Sequence, residues 1–229
     1  MYPGMPGVCS RAGFVGGALT RIAIIGGSLE AIACGHRILD AVKHVELHLF
    51  EESAEMGLMG EAPGIFTSWP VVPEHWVLGL GKQTPEEGST AVRRSWFEKA
   101  MSASLSARGC TIHLRTRITN RGEGEITFVG AGPLGSDTIQ YDALETFGEP
   151  HIATKWEGGV CHSLEPEADG HIGQRADGTV EVWWEDKPPI NPTWVQRMQW
   201  VGDDPKRSLA DSISRGIETA DALVDTIIQ

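Results

Sequence analysis

Cysteine and basic charge are both scarce in this sequence, and each scarcity removes a class of function. Four cysteines (Cys9, Cys34, Cys110, Cys161) stand far apart, with no C-x-x-C pair and no Cys/His run at zinc spacing. Neither a disulfide framework nor a bound metal is expected, and a reducing, cytoplasmic setting fits the pattern. Lys and Arg number 19 against 31 Asp and Glu, a formal net charge of -12. Such a chain is poorly suited to neutralising nucleic-acid phosphates or docking on an anionic membrane, so neither partner is expected. The charge favours solubility. No apolar run is long enough to span a bilayer. The opening MYPGMPGVCSRAGFVGGALT has too short and too weak an apolar stretch for a secretory signal, so residues 1–20 read as a flexible extension. Internal repeats and low-complexity tracts are absent too. With 229 residues there is room for one full α/β domain and a small appendage.

What is present begins with a strand, a glycine turn, a helix and a second strand. RIAIIGG opens as a β-branched run without alternation, the mark of a strand buried on both faces of a parallel sheet. A helix follows from Ser28 to about Val42, with Leu29, Ile32, Ala33, Ile38, Leu39 and Val42 near helical spacing, and VELHLF (45–50) is the next strand. Together these form a βαβ unit with a right-handed crossover. Residues 57–90, rich in Gly, Pro, Met and Trp, have no period, and so long an irregular stretch is usually functional. A second helix is expected from Thr90 to about Arg108, with Gly109 just past its end. TIHLRTRI (111–118) reads as one strand; GEITFV and DTIQYDAL read as two more, joined by the turn GAGPLGS. Beyond Gly148 the chain reads as irregular apart from a strand at TVEVWW (179–184), and a last helix runs from near Arg207 to Ile228.

The strongest chemical signal is the turn Gly26-Gly27-Ser28-Leu29-Glu30-Ala31 between the first strand and helix. Backbone N–H groups and the positive helix end at such a turn can face a pyrophosphate. Gly26, Ser28 and Ala31 take the first, third and sixth positions of G-x-G-x-x-G/A. Ser28 replaces the usual glycine, with Gly27 beside it to supply backbone freedom and with a hydroxyl that can donate to phosphate. Glu51, ending the second strand, is placed to accept two hydrogen bonds from a ribose and to repel a 2′-phosphate. By itself Gly26 marks only a tight turn and Glu51 a solvated strand end. Strand, turn, helix and acid in register point to dinucleotide binding.

Two further segments complete a pattern. VRRSWFEKAMSASLSARGCTIHLRTRIT carries Arg94, Phe97 and Glu98 in the order R-x-x-F-[DE] on a helix followed by a strand, and Trp200-Val201-Gly202-Asp203 precedes the terminal helix. With the βαβ unit, these segments resemble the FAD-dependent oxidoreductase superfamily that includes the aromatic hydroxylases and geranylgeranyl reductases, in shortened form. YDALETFGEP (141–150) is similar to that family's strand and glycine turn over the dinucleotide. The resemblance covers about two-thirds of the chain. It implies a Rossmann-type α/β fold with a central parallel sheet, a small antiparallel β element and a reduced substrate cap. It also implies FAD as cofactor, with Gly26, Gly27, Ser28 and Ala31 at the pyrophosphate and Glu51 at the adenosine ribose. Arg94 would lie near the phosphates, Ile118 at the adenine through its backbone, and Asp203 at the ribityl chain. The implied division is a core over 21–150, a cap over 151–199, and a strand and helix over 200–229 that complete the cofactor domain.

A flavin carries the redox chemistry while the protein positions it, so no catalytic base is required, and the sequence identifies none. Adjacent Cys161 and His162 point to opposite faces of an extended strand, which argues against a thiolate–imidazole pair. His151 and His171 are lone histidines. Of eight tryptophans, Trp183, Trp184, Trp194 and Trp200 lie near the carboxy end and Trp69 and Trp76 in the irregular stretch. They suit either a small core or the wall around a flat ring. Met56, Met59 and Gly60 fall where relatives approach the flavin. The expected activity is flavin-mediated hydride or electron transfer on a small, aromatic-type substrate, with NAD(P)H as a candidate electron donor. A second reading that the short middle region suits is a non-catalytic or partner-dependent FAD-binding subunit of a larger redox complex, its site completed by a second copy or a partner protein. A plain NAD-dependent dehydrogenase is the third reading, and it leaves the Gly-Asp segment unexplained.

Overall fold

The computed structural model describes residues 19–57, 62–148, 154–162, 170–188 and 193–228. In chain order the elements are β1 (Thr20–Ile25), α1 (Leu29–Ala41), β2 (Val45–Phe50), α2 (Arg94–Ala107), β3 (Thr111–His113), β4 (Thr116–Gly122), β5 (Glu125–Gly130), β6 (Asp137–Gln140), β7 (Ala143–Thr146), β8 (Thr154–Cys161), β9 (His171–Gln174), β10 (Val180–Trp184), β11 (Trp194–Gly202) and α3 (Ser208–Ile228). Residues 1–18 and 229, and with them Cys9, lie outside the described residues.

β1, β2, β3 and β7 form a parallel sheet in the order β3-β2-β1-β7. Its strands are apolar because both faces are covered. Ile22, Ile24, Leu47 and Leu49 pack against Leu29, Ile32 and Ile38 of α1, Phe97, Met101 and Leu105 of α2, and Leu209 and Ile213 of α3. On the other face Ala23 and Phe50 meet Ile126 and Phe128 of the three-stranded antiparallel sheet β4-β5-β6. α1 and α3 touch at Gly216, where a Cβ would come within 2.3 Å of the Glu30 carbonyl oxygen. That closeness carries the carboxy-terminal helix back to the amino-terminal turn.

Two segments that read as single strands are each divided between sheets. The stretch 111–118 leaves the parallel sheet at His113, turns at Arg115 with φ of 50°, and continues in the antiparallel sheet from Thr116. The stretch 137–144 is likewise β6 in the antiparallel sheet and β7 in the parallel one. Periodicity does not register such a break, because both halves are extended and partly apolar. Beyond Gly148 the single expected strand is joined by three others in a four-stranded antiparallel cap sheet, β11-β8-β10-β9. β8 is hidden in the sequence by Gly158 and Gly159, which read as breakers. In the fold their missing Cβ atoms leave room for the rings of Trp183 and Trp194, 2.6 and 2.3 Å from where those atoms would stand. β11 pairs with β8 along its whole length, so Gly202 ends a cap strand.

Candidate cofactor cleft

The turn after β1 is shaped by its neighbours. Gly26 donates its N–H to the Phe50 carbonyl at 2.9 Å and has φ of 112°, a conformation that suits glycine. A Cβ there would stand 2.6 Å from the Phe147 carbonyl oxygen, and one at Gly27 would stand 2.3 Å from a Glu51 carboxylate oxygen. Ser28 caps α1: its Oγ accepts from the Ala31 N–H at 3.3 Å. Ala31 itself is fully buried. The serine in the glycine position therefore serves the helix, with its hydroxyl hydrogen still available to a ligand.

Two clefts flank this turn. The larger, about 590 Å³, is lined by Ser28, Arg94, Gly148, Trp200 and Asp203 together with the α3 face that carries Ser208, Ser212 and Arg215. The smaller, about 140 Å³, is lined by Gly26, Phe50, Glu51, Glu52, Ile118 and Arg121. Ser28, Arg94 and Asp203 thus meet in one cleft and Gly26, Glu51 and Ile118 in the other. Gly27 lies between them; Ala31 is in the helix core.

Arg94 is buried at the start of α2. Its Nε donates to Glu98 Oε1 at 2.7 Å, Nη1 to the Pro63 carbonyl at 3.1 Å and to Ser208 Oγ at 3.4 Å, and Nη2 to Ser212 Oγ at 3.4 Å. Among the described residues four of the five guanidinium N–H groups are engaged, two of them only at long range, which leaves donor capacity toward the cleft. Glu51 accepts the Ser53 N–H at 2.7 Å through one oxygen. Asp203 holds Trp156 through its carbonyl, which accepts the indole N–H at 2.7 Å. Glu30, in the first turn of α1, would repel an anion in the large cleft, but it is paired with Arg215 of α3 through Nε at 2.8 Å. Arg215, Ser208, Ser212 and Arg121 escaped the sequence reading. The first three share a face of the last helix, but only its docking on α1 turns that face to the turn.

Most other candidates prove structural. Burial pushes the Cys34 and Cys110 thiols up to about 12, too high for thiolate chemistry. Cys161 is buried and His162 exposed, as opposite faces require. His171 faces Asp204 at 3.5 Å. Trp183 is fully buried in the cap core, Trp184 and Trp194 stack on each other with ring centroids 5.1 Å apart, and Trp76 is buried beside α1; only Trp200 of these lines the large cleft. Met56 belongs to the main core, while Met59, Gly60 and His151 lie outside the described residues. Among the described residues no group of His, Cys, Asp and Glu could hold a metal, and no helix is long and apolar enough to cross a membrane.

No protein-family model matches the chain, and no curated protein matches it in sequence. Solved structures do. Glycine oxidase from Bacillus cereus superposes with a TM-score of 0.62 at 11% identity, over 90% of this chain and 95% of that one. p-Nitrophenol 4-monooxygenase from Pseudomonas putida gives 0.58 at 10%, over 91% and 80%. The aklavinone-11 hydroxylase solved with FAD and aklavinone gives 0.56 at 13%, over 91% and 62%. The fold is that of the FAD-dependent oxidoreductases. The chain spans 62% of the length of aklavinone-11 hydroxylase but 95% of that of glycine oxidase. The shortening expected from the sequence holds against the hydroxylase and not against glycine oxidase.

Proposed function

We propose that this chain binds FAD across the two clefts and acts as a flavin-dependent oxidoreductase on a small substrate held beneath the cap sheet. The observation that carries the proposal is the gathering of six residues, drawn from five separate stretches of sequence, on the two sides of the α1 N-terminus. In this reading the free N–H groups at the start of α1 face the pyrophosphate. Arg94 adds a fixed positive charge, and α3 presents its own first turn and Ser208 to the same anion. Glu51 accepts from the adenosine ribose, Ile118 meets the adenine through its backbone, and Asp203 accepts from the ribityl chain. The residues fit that group: the smaller cleft offers a carboxylate and an apolar strand, the larger an arginine, serine hydroxyls and two helix ends.

When bound, the flavin supplies the hydride or electron transfer. The protein's share is to bind it, to exclude water with the cap, and to hold the substrate. Trp200, at the junction of cleft and cap, suits a substrate with an aromatic face. The acidic surface and buried thiols are consistent with the cytoplasm.

The decisive experiment is the absorption spectrum of the purified chain, with chromatography of what heat releases. Oxidised-flavin bands and released FAD are the expected result, and anaerobic NADH or NADPH addition then tests reduction by a nicotinamide. A colourless protein that binds NAD but not added FAD would overturn the reading. A flavoprotein bleached by no donor alone would favour the partner-dependent subunit, a reading the short cap already invites.

A further inference from the structure

One peptide bond joins the cofactor cleft to the cap. The carbonyl of Pro63 accepts from Arg94 Nη1 at 3.1 Å, and the N–H of the same peptide, that of Gly64, donates to Glu181 Oε1 at 2.8 Å. In a trans peptide these two groups point in opposite directions, so the plane is held from both sides. Gly64 is also confined laterally: a Cβ would stand 1.8 Å from the Val92 carbonyl oxygen, and Val92 donates its N–H to the Gly64 carbonyl at 2.9 Å.

Glu181 is built for this contact at a cost. It is fully buried as the second residue of β10. Its Oε1 also accepts the Trp183 indole N–H at 2.7 Å, and its Oε2 accepts Arg175 Nε at 3.0 Å and Arg175 Nη2. A buried ion pair contributes little net stability compared with apolar residues of the same volume. Here its carboxylate satisfies a backbone donor on a different layer, 117 residues away in sequence.

We propose that Glu181 is a positioning residue for the cofactor site: through the Pro63–Gly64 peptide it sets where Arg94 stands, and so couples cap packing to FAD affinity. The inference rests on the FAD reading above. Arg94 reaches the cleft with its guanidinium fixed by Glu98 on one side and the Pro63 carbonyl on the other. Releasing the far side of that peptide frees the carbonyl to turn, and Arg94 with it.

The test separates affinity from stability. The double variant Arg175→Met/Glu181→Leu removes both charges at similar volume, so loss of the ion pair itself is tolerated, while the Trp183 indole N–H and the Gly64 N–H lose their acceptor and the urea midpoint is expected to fall. It leaves Gly64 without its acceptor, and the FAD dissociation constant, read by flavin fluorescence quenching, is expected to rise about tenfold. Amide exchange over residues 62–66 should quicken in the same protein. Glu181→Gln separates the two effects, because affinity alone distinguishes it from the double variant, and it guards against a double variant that does not fold. It keeps an acceptor for Gly64 while stranding Arg175, so stability should fall and affinity stay within about threefold. Unchanged affinity in the folded double variant, or an affinity loss of tenfold or more in Glu181→Gln, would overturn the positioning role and leave FAD binding standing. A wild-type chain that binds no FAD would instead overturn the FAD reading and this inference with it.

Discussion

The parallel sheet buries aliphatic side chains between helices and a second sheet and keeps its chemistry at the strand ends, whereas the cap sheet places tryptophans and a buried ion pair at its centre. The contrast follows from size. Three layers give the parallel half enough apolar area to fold on burial alone. The cap is a single four-stranded sheet and cannot bury comparable area with Val and Ile alone, so it uses the largest side chains and closes the remaining polar groups on one another. The parallel half is thereby free to leave donors unpaired at the α1 N-terminus, where a ligand can take them. The cap spends its polar groups on being folded.

Acid should break the comparison most strongly, and on the parallel side. Burial lowers His36 to about 4, helped by the Arg108 guanidinium that donates to its Nδ1 at 2.8 Å. Burial likewise lowers His113 to about 4, helped by His48, whose Nδ1 lies 3.0 Å from His113 Nε2. Above the ordinary imidazole value near 6.5 both folded and unfolded chains are neutral and neither group affects stability. As pH falls from there toward 4 the unfolded chain takes up protons that the folded chain refuses, so stability declines, and below 4 the loss is complete. The two groups together are worth on the order of 7 kcal/mol at most. Urea midpoints at pH 7 and pH 4.5 measure the loss. Amide exchange should show the parallel half opening first, and His113→Phe should flatten the slope.

Within the cap the largest single effect is expected at Trp183. Trp183→Ala removes the ring that fills the cap core, at about 3–5 kcal/mol, and leaves the Glu181 carboxylate one donor short. If cap and parallel half are one cooperative unit through the Pro63–Gly64 peptide, the urea transition stays single and shifts. Two transitions, with the tryptophan signal lost first, would show that the cap folds independently.

The two halves also differed in how far they could be read in the sequence. β1, α1, β2, α2 and α3 follow from apolar spacing and lie within a few residues of expectation, because burial between layers is what periodicity records. The cap was nearly invisible. Gly158 and Gly159 in β8 signal a loop, and nothing local reveals that they make room for Trp183 and Trp194. In the site, Gly26, Glu51, Arg94 and Asp203 carry motifs, whereas Arg215 and Arg121 matter only through docking of α3 on α1 and of β4 against β2. The interleaving of Glu181 with Gly64 is a tertiary fact with no sequence signature.

At the adenosine side Glu51→Ala should weaken FAD binding by about 2 kcal/mol, roughly thirtyfold, the range for hydrogen bonds to a charged acceptor. FMN, which lacks the adenosine, should bind the variant and the wild type alike. Equal losses for both ligands would mean that Glu51 acts by holding Gly27 in place, against which its carboxylate already lies.

The smallest effect is the most discriminating, because Ser28 belongs to both descriptions of the turn. Its Oγ caps α1 by accepting from Ala31, and its hydroxyl hydrogen can still reach a phosphate. Ser28→Ala should cost about 1 kcal/mol of stability through the lost cap, while Ser28→Gly should cost only a few tenths, since glycine is tolerated at that position. FAD affinity separates the roles. If the hydroxyl serves only the helix, Ser28→Gly restores the glycine of the common fingerprint and binds FAD at least as well as wild type. If it also donates to phosphate, both variants lose affinity by a similar factor, whatever their stability. A Gly variant with wild-type stability and weakened binding would therefore move Ser28 from the scaffold of the parallel half to its ligand-facing edge.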